Sequence, residues 1–242
     1  MSEAAHMHNR LGRLGLKTAY LQAMDIQPWV ARDDSASAVV ADASPVAVRG
    51  AELPDWAELE ARVAHCTLCS LHETRTQTVF GTGNRQADWL IIGEAPGADE
   101  DRQGEPFVGR AGLLLNEMLR ATGYRREEVY IANILKCRPP NNRNPRPDEV
   151  QCCHGYLQQQ IDLLQPRIIL AVGGIAAHNL LGTDMPVGKL RGTLHHCGDS
   201  RIPLVVTYHP AYLLRSPLEK RKVWADLQFA RQVFQSAGQE IS

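Results

Sequence analysis

The chain has 242 residues, enough for one large α/β domain or two small ones, and its net charge of −1 excludes DNA binding through a global positive field. Hydrophobic residues make up 44% of the sequence, so a sizeable core is expected, and no apolar run is long enough for a membrane helix. The N-terminus lacks the basic-then-apolar order of a secretory signal, so we expect a cytoplasmic protein with no membrane partner.

Residues 1–50 differ in composition from the rest of the chain. Asn9 to Val30 has the apolar spacing of a short helix, and the Ala/Ser/Asp/Val-rich sequence after it is typical of a flexible linker. Two interpretations stay open: a weakly ordered tail, or a docking peptide for a protein partner with Tyr20 and Trp29 as anchors. We therefore divide the chain into an N-terminal extension, 1–50, and one domain, 51–242.

From Leu53 onwards, short apolar runs alternate with helical periodicity. Four runs are predicted strands: Trp89–Ile92, Val129–Ile134, Arg167–Val172 and Ile202–Thr207. Helices are predicted from Pro54 to Cys66 and at Gly112–Thr122, Asp148–Leu164, Gly174–Leu181 and Ser216–Phe234. This alternation predicts the α/β class: a three-layer α/β/α sandwich with a central, mostly parallel four-stranded sheet. Nothing in the sequence demands more than a monomer.

The stretch from Asp88 to Asn116 combines the features of a ligand pocket. Its predicted strand ends in a Gly-Glu-Ala-Pro-Gly turn, three carboxylates follow, and a lone Phe107 stands before the next helix. In an open α/β sheet, ligands bind at the carboxyl ends of the strands. The sequence therefore predicts a pocket for a planar ligand, with Phe107 either stacking on that ligand or packing in the core.

Six cysteines occur, at positions 66, 69, 137, 152, 153 and 197. Cys66 and Cys69 form a C-x2-C pair, Cys137 follows the second predicted strand, and Cys152 and Cys153 lie near the start of a helix. Stable disulfides are rare in a reducing cytosol. A spread quartet of thiolates is able to hold zinc or an iron–sulfur cluster, whereas a redox dithiol needs only the first pair. Buried free cysteines are the remaining interpretation.

The order of motifs between Leu53 and Ala237 resembles the family 4 uracil-DNA glycosylases, the iron–sulfur branch of the uracil-DNA glycosylase superfamily. The resemblance is carried by Cys66-Thr-Leu-Cys69, Val79-Phe-Gly-Thr-Gly83, Gly93-Glu-Ala-Pro-Gly97 with Glu100-Asp101, Pro106-Phe-Val-Gly-Arg-Ala-Gly112, Asn133, Lys136-Cys-Arg-Pro-Pro140 and His209-Pro-Ala-Tyr-Leu-Leu-Arg215. The order and spacing together are highly specific. The resemblance implies an enzyme of base excision repair that flips uracil out of single- or double-stranded DNA and hydrolyses its N-glycosidic bond, leaving an abasic site.

The resemblance also implies a [4Fe-4S] cluster with a structural role. Its four ligands map to Cys66, Cys69, Cys137 and Cys153, because the fourth falls sixteen positions after the third. Cys152 departs from the family pattern, and an exchange of ligand with its neighbour stays open.

Within the pocket, Phe107 is expected to stack on the flipped base. One Asn133 amide is able to donate to uracil O4 and accept from N3–H, whereas cytosine presents the opposite pattern; a strand-end cap is the alternative for this residue. His209 resembles the family's donor to uracil O2, where negative charge develops as the bond breaks.

The group that positions the attacking water is not assigned by the sequence. Other branches of the superfamily place an aspartate at the position of Ala95, so main-chain groups of Glu94, Ala95 and Pro96 are expected to line the pocket instead. Glu100 is the side-chain candidate, either for positioning water or for blocking the methyl group of thymine. A solvated acidic loop is the alternative for Glu100.

Basic residues beside the pocket are expected to contact DNA phosphates, which hold the nucleic acid without reading its sequence. The candidates are Lys136, Arg138, Arg143, Arg146 and Arg215. Leu213, or its neighbour Leu214, is the candidate for an apolar wedge in the gap left by the flipped base, with core packing as the alternative.

Three other functions fit parts of this pattern. A related glycosylase becomes covalently trapped on its abasic product, but that branch carries a histidine in the loop after the third cluster cysteine, and Arg138 to Arg146 contains none. A non-catalytic iron–sulfur protein would bind DNA and sense redox state without releasing a base. A zinc-binding α/β module would contain no iron.

Overall fold

The computed structural model describes residues 55–239, and the N-terminal helix and linker predicted between Asn9 and Gly50 lie outside them. The helices of this part of the chain are α1 Trp56–Ala64, α2 Ala98–Gln103, α3 Arg110–Ala121, α4 Pro147–Leu164, α5 Gly174–Leu181, α6 Val187–Leu190, α7 Pro210–Arg215 and α8 Lys220–Gln239. Its strands are β1 Thr82–Gly83, β2 Trp89–Gly93, β3 Tyr130–Asn133, β4 Ile168–Val172, β5 Leu194–Cys197 and β6 Ile202–Thr207. No helix within the described range is long and apolar enough to cross a membrane.

The strands form one sheet in the order β1-β3-β2-β4-β6-β5. The four central strands are parallel, and each edge strand is antiparallel to its neighbour. The predicted α/β class and parallel centre are confirmed, but the predicted count of four strands is wrong. The two edge strands were missed because β1 has only two residues and β5, Leu-His-His-Cys, lacks an apolar run.

Side chains of the central strands alternate between two cores, one on each face of the sheet. On one face, Leu90 and Ile92 of β2 pack with Leu157 and Ile161 of α4 and with α5. The opposite face of β2 packs against α3 and α8. Since apolar residues on both sides of the strands are buried, the sheet requires a helical layer on each face, and the predicted α/β/α sandwich is confirmed.

Two helices at the carboxyl edge of the sheet escaped prediction. The three carboxylates after β2 lie in α2, which ends at Gly104 with a φ of 79°. At the other end of the chain, the helix predicted from Ser216 begins only at Lys220, because a proline turn at residues 217–219 separates it from α7. Both short helices border the cavity described next.

Candidate active site

A cavity of about 550 Å³ opens at the carboxyl ends of the central strands. The turn after β2, the end of β3 and the turn after β6 enclose it, at the edge where open α/β sheets bind ligands. Most of the predicted site residues line it: Glu94, Ala95, Pro96, Glu100, Phe107, Asn133, Arg143, His209 and Arg215. The structure thus brings together segments that lie more than a hundred residues apart in the sequence.

Asn133 ends β3 and presents its amide to this cavity. The residue is 2% exposed, and its Oδ1 has no hydrogen-bond partner among the described residues. A buried acceptor left without a partner costs roughly 1–3 kcal/mol, so such atoms are rare in folded proteins. The amide is therefore placed to accept a hydrogen bond from a ligand, and this acceptor serves no strand-end cap.

Gly93, the last residue of β2, lets two side chains approach the same strand end. A Cβ at position 93 would lie 2.5 Å from both Asn133 Oδ1 and Phe107 Cζ, far inside van der Waals contact. Phe107 itself has a φ of 55°, a conformation that residues other than glycine rarely adopt. It is 6% exposed, packs in the core beside α3 and also lines the cavity, so the two alternatives for this ring are compatible.

The loop that carries Phe107 is fastened by the carboxylate of Glu100. Oε1 accepts from the main-chain N–H groups of Val108 and Gly109, both at 3.0 Å, and Oε2 accepts from Gly97 at 3.1 Å. Both oxygens are engaged in hydrogen bonds with main-chain groups. The carboxylate is thus a clip between the glycine turn and the phenylalanine loop, rather than the solvated acid of the alternative interpretation.

His209 caps the N-terminus of α7 and faces the ring of Phe107. The two ring centres lie 5.6 Å apart with their planes inclined by 30°. The Nδ1 atom of His209 accepts a hydrogen bond from the main-chain N–H of Ala211 at 3.1 Å. Burial lowers the pKa of His209 to about 4, and the positive charge of Arg215 acts in the same direction. A neutral ring whose Nδ1 accepts carries its proton on Nε2, which is then available as a donor.

Glu94 follows Gly93 and also lines the cavity. Its main-chain carbonyl accepts from the N–H of Leu135 at 3.1 Å, which ties the glycine turn to the segment after β3. Burial raises the pKa of the Glu94 carboxyl above its usual value because the charged form is poorly solvated. Ala95 and Pro96 complete this wall of the cavity.

The predicted phosphate contacts divide into exposed and paired arginines. Arg146 and Arg215 are exposed. Arg138 donates from Nε to Oδ1 of Asn142 at 2.7 Å, and Arg143 donates to both carboxylate oxygens of the fully buried Glu149. The salt bridge raises the pKa of Arg143 and lowers that of Glu149. Arg143 therefore anchors the loop at the rim of the cavity in addition to contributing charge there.

Two predicted DNA contacts are wrong. Lys136 is 1% exposed, and its Nζ donates to the main-chain carbonyl of Asn133 at 3.0 Å, so it does not reach a phosphate. Burial lowers the pKa of this ammonium to about 7. Leu213 is 1% exposed and packs in the core beneath α7, whereas Leu214 is 38% exposed. The helical turn of α7 sends these two neighbours in different directions, which the sequence alone did not resolve.

Several cavity residues were not anticipated from the sequence: Ala111, Pro139, Asn142, Asn144, Ala211 and Tyr212. Asn141 and Asn142 both have a positive φ, which asparagine tolerates better than most residues. The Pro-Pro-Asn-Asn sequence therefore signals a turn, but it carries no signal that this turn faces the end of β2.

Five of the cysteines line one narrow space between α1 and the start of α4: Cys66, Cys69, Cys137, Cys152 and Cys153. Cys137 Sγ accepts a hydrogen bond from Nη1 of Arg75 at 3.0 Å, and Cys152 Sγ donates to the carbonyl of Leu68 at 3.3 Å. Burial raises the pKa of the Cys153 thiol to about 12. Cys197 lies apart from this group and contacts the carbonyl of Leu180.

These cysteines are not arranged around a single ion. Within residues 55–239, no three histidine, cysteine or acidic side chains stand together as one bound metal ion requires. In a four-iron cluster each thiolate binds a different iron, so its sulfurs stand farther apart than around one ion. A set of buried and half-buried thiols beside the cationic Arg75 and Lys136 fits such an anionic group.

The sandwich fold and the cavity at its sheet edge, lined by the rings of Phe107 and His209 and by the buried amide of Asn133, define an α/β protein with a candidate ligand site at the carboxyl ends of its strands. Residues 80–228 match the family model described as the uracil DNA glycosylase superfamily. The chain belongs to this superfamily, as its motifs predicted.

Three relatives show the extent of the similarity. The chain is 42% identical over 181 residues to a type-4 uracil-DNA glycosylase of Thermotoga maritima, covering 73% of this chain and 93% of that protein. It is 44% identical to the type-4 enzyme of Pyrobaculum aerophilum, over 72% and 91% of the two chains. It is 41% identical to the type-4 enzyme of Archaeoglobus fulgidus, over 71% of this chain and 89% of that enzyme.

Proposed function

We propose that this protein is a uracil-DNA glycosylase that hydrolyses the bond between uracil and deoxyribose and leaves an abasic site in DNA. The relatives that carry this name align along most of their length. The observation that carries the proposal is the buried Oδ1 of Asn133, which has no partner in the described chain and lies at a cavity shared with Phe107 and His209.

Recognition begins with the base outside the helix, because a uracil inside a duplex is out of reach of any side chain. The ring of Phe107 stacks on the flipped base. Asn133 Oδ1 accepts from uracil N3–H, and its amide nitrogen donates to O4. Cytosine presents an amine in place of O4 and lacks a proton on N3, so both hydrogen bonds fail and the base is rejected.

Catalysis requires that the negative charge on the departing base be stabilised. As the C1′–N1 bond breaks, both of its electrons leave with uracil, and negative charge develops on O2. The neutral His209 donates from Nε2 to that oxygen, and removal of such a donor typically reduces kcat by roughly 10²–10³-fold. Water adds to C1′ and loses a proton, and the uracil anion gains one, which completes the hydrolysis.

Glu100 acts here as a positioning residue rather than as the base that activates water. Its two carboxylate oxygens already accept three main-chain hydrogen bonds. It holds the Phe107 loop against the glycine turn, so the stacking surface is formed before the base arrives. Glu94, Ala95 and Pro96 contribute the wall against which uracil packs.

A [4Fe-4S] cluster held by Cys66, Cys69, Cys137 and Cys153 completes the proposal. When bound, it supplies a structural cross-link rather than a reactive centre, because hydrolysis of a glycosidic bond transfers no electrons. Those four thiols join α1 and the segment after it to α4 and the segment after β3. Cys152 already donates to a main-chain carbonyl, which favours Cys153 as the fourth ligand.

Phosphate contacts come from Arg138, Arg146 and Arg215, with Arg143 at the rim of the cavity. Because these contacts release counterions, binding to DNA weakens as salt is added. Leu214, exposed on α7, is the apolar side chain available to fill the space left by the flipped base.

The test is base release from an oligonucleotide with one uracil, followed by mild alkali, which cuts the strand at abasic sites. The wild type is expected to cleave single- and double-stranded substrates, and Asn133→Ala and His209→Ala to lose roughly 10²-fold or more of its rate. Asn179 and His196 are exposed, so Asn179→Ala and His196→Ala are matched controls that should keep the wild-type rate. DNA binding without base release by the wild type would contradict the proposed function and favour a redox sensor.

A further inference from the structure

Lys136 is a buried cation that contacts both the cysteine group and the strand end that reads the base. It lines the space between the cysteines, and its Nζ donates to the carbonyl of Asn133 at 3.0 Å and to Oε1 of Gln160 at 2.5 Å. Both acceptors are neutral. No carboxylate within residues 55–239 forms an ion pair with this ammonium, and a charge buried without a counter-charge is strongly destabilising.

The counter-charge for Lys136 lies among the cysteines. Lys136 lines the narrow space together with Cys137, the next residue in the chain, and Cys153. Four thiolates outweigh the positive charge of a four-iron core, so the assembled cluster is anionic. A second cation, Arg75, donates to Cys137 Sγ at 3.0 Å, and two positive side chains therefore border the same thiols.

We propose that Lys136 is a positioning residue that joins the cluster to base recognition: its charge stabilises the reduced cluster, and its ammonium fixes the main chain of Asn133. The inference rests on the proposed function, to which both the cluster and the reading of uracil belong. Arg75 shares only the electrostatic role. Its remaining hydrogen bonds go to the carbonyls of Ala64 and Cys66, and none goes to Asn133.

The two roles predict different effects for two neutral variants. A nearby cation favours the more negative state of the cluster, which is the reduced one, so it raises the reduction potential. Lys136→Met and Arg75→Met are both expected to lower that potential. Only Lys136→Met also removes the hydrogen bond to the carbonyl of Asn133. This variant alone is therefore expected to show a preference for uracil over cytosine that is about tenfold or more lower.

The experiment uses the purified iron-loaded protein and measures two quantities for each variant. The cluster potential comes from a redox titration followed by electron paramagnetic resonance, and base preference from the ratio of kcat/KM for uracil and cytosine oligonucleotides. Lys189→Met, a change at an exposed lysine, is the matched control and should alter neither. An unchanged potential in Lys136→Met overturns the electrostatic role, and a full base preference in that variant overturns the link to Asn133.

A second variant decides the question if Lys136→Met does not fold. Gln160→Glu places a carboxylate against the same ammonium and keeps the hydrogen bond to Asn133, so it should lower the potential and preserve base preference. An unchanged potential contradicts the inference, as does a wild type that contains no iron. A wild type that binds iron but releases no uracil would contradict the proposed function instead. In that case the reduction potentials of the variants would still test the role of the Lys136 charge.

Discussion

His209 shows how one main-chain contact sets the protonation of a side chain. The N–H of Ala211 occupies Nδ1, while burial and the charge of Arg215 keep the ring neutral. A protonated ring would be a stronger donor to uracil O2, but it would have to hold a buried charge beside a nearby arginine. The neutral donor needs no change of protonation before the base leaves.

This protonation state predicts the acid limb of the pH–rate profile. The folded pKa of His209 is about 4, below the ordinary value of 6.5, so the ring stays neutral as pH falls from 8 through 6. We expect kcat on single-stranded uracil DNA to stay flat over that range and to fall only near pH 4. Arg215→Gln removes a positive charge that lowers this pKa, so its acid limb should move to higher pH. A wild-type kcat that falls near pH 6.5 would contradict the conclusion that His209 stays neutral down to about pH 4.

Leu213 and Leu214 differ in what their truncation should do. Leu213→Ala removes a buried side chain and should lower the free energy of unfolding by roughly 2–5 kcal/mol. Leu214→Ala should leave stability nearly unchanged but slow uracil release from duplex DNA more than from single strands, since only the duplex leaves a gap to fill. Denaturant unfolding and the duplex-to-single-strand rate ratio measure these effects. Equal rate ratios in Leu214→Ala and the wild type would exclude the wedge.

At the scale of elements, the active site depends on how α2 and the Phe107 loop are joined. Gly112 in the first turn of α3 lies so close to Phe107 that an added Cβ would meet the carbonyl of Phe107 at 1.7 Å. Arg126 donates from Nη1 to that same carbonyl at 3.2 Å. With the Glu100 clip, these contacts hold a phenylalanine at a positive φ, a strained conformation that the surroundings must maintain.

Glu100→Gln tests this clip. An amide is neutral and keeps only one acceptor oxygen, so at least one of the three main-chain N–H groups loses its acceptor, and we expect a loss of roughly 1–3 kcal/mol in unfolding free energy. Uracil release should fall through a higher KM, because the stacking surface is less ordered. Glu117→Gln, an exposed change on α3, is the control. A fall in kcat with full stability and unchanged KM would instead support direct action of Glu100 on water.

The sequence predicted the four central strands to within a few residues because their apolar runs are long and bounded by glycine or charged residues. The positions of Asn133 and His209 at the sheet edge follow from two of these runs, whereas the roles expected for the two residues came from the family resemblance. The burial of Lys136 was not, since a lysine between a buried strand and a cysteine has the same local pattern whether it faces DNA or the core. The hydrogen bonds of Glu100 were not predictable either. Two of its donors, the N–H groups of residues 108 and 109, belong to a loop whose path only the fold determines.

At the scale of the whole molecule, every residue within 55–239 that lines the cavity or the narrow space between the cysteines lies between residues 66 and 215. We propose that residues 51–242 form the catalytic domain and that the extension binds a protein partner. A variant lacking residues 1–50 is expected to bind iron and to release uracil at the wild-type rate. Iron content and base release measure this. Loss of activity in a folded, iron-containing variant would place part of the site in the extension.

The central claim is that the Asn133 amide reads uracil, and Asn133→Asp tests it most directly. The carboxylate has the size of the amide but offers acceptors only, so it loses the donor to O4 and keeps the acceptor for N3–H. Release of uracil should fall by roughly 10²-fold or more relative to the wild type, while rejection of cytosine should weaken. The ratio of uracil to cytosine release from matched oligonucleotides is the measurement. A variant that releases uracil at the wild-type rate and still rejects cytosine would show that another group reads the base.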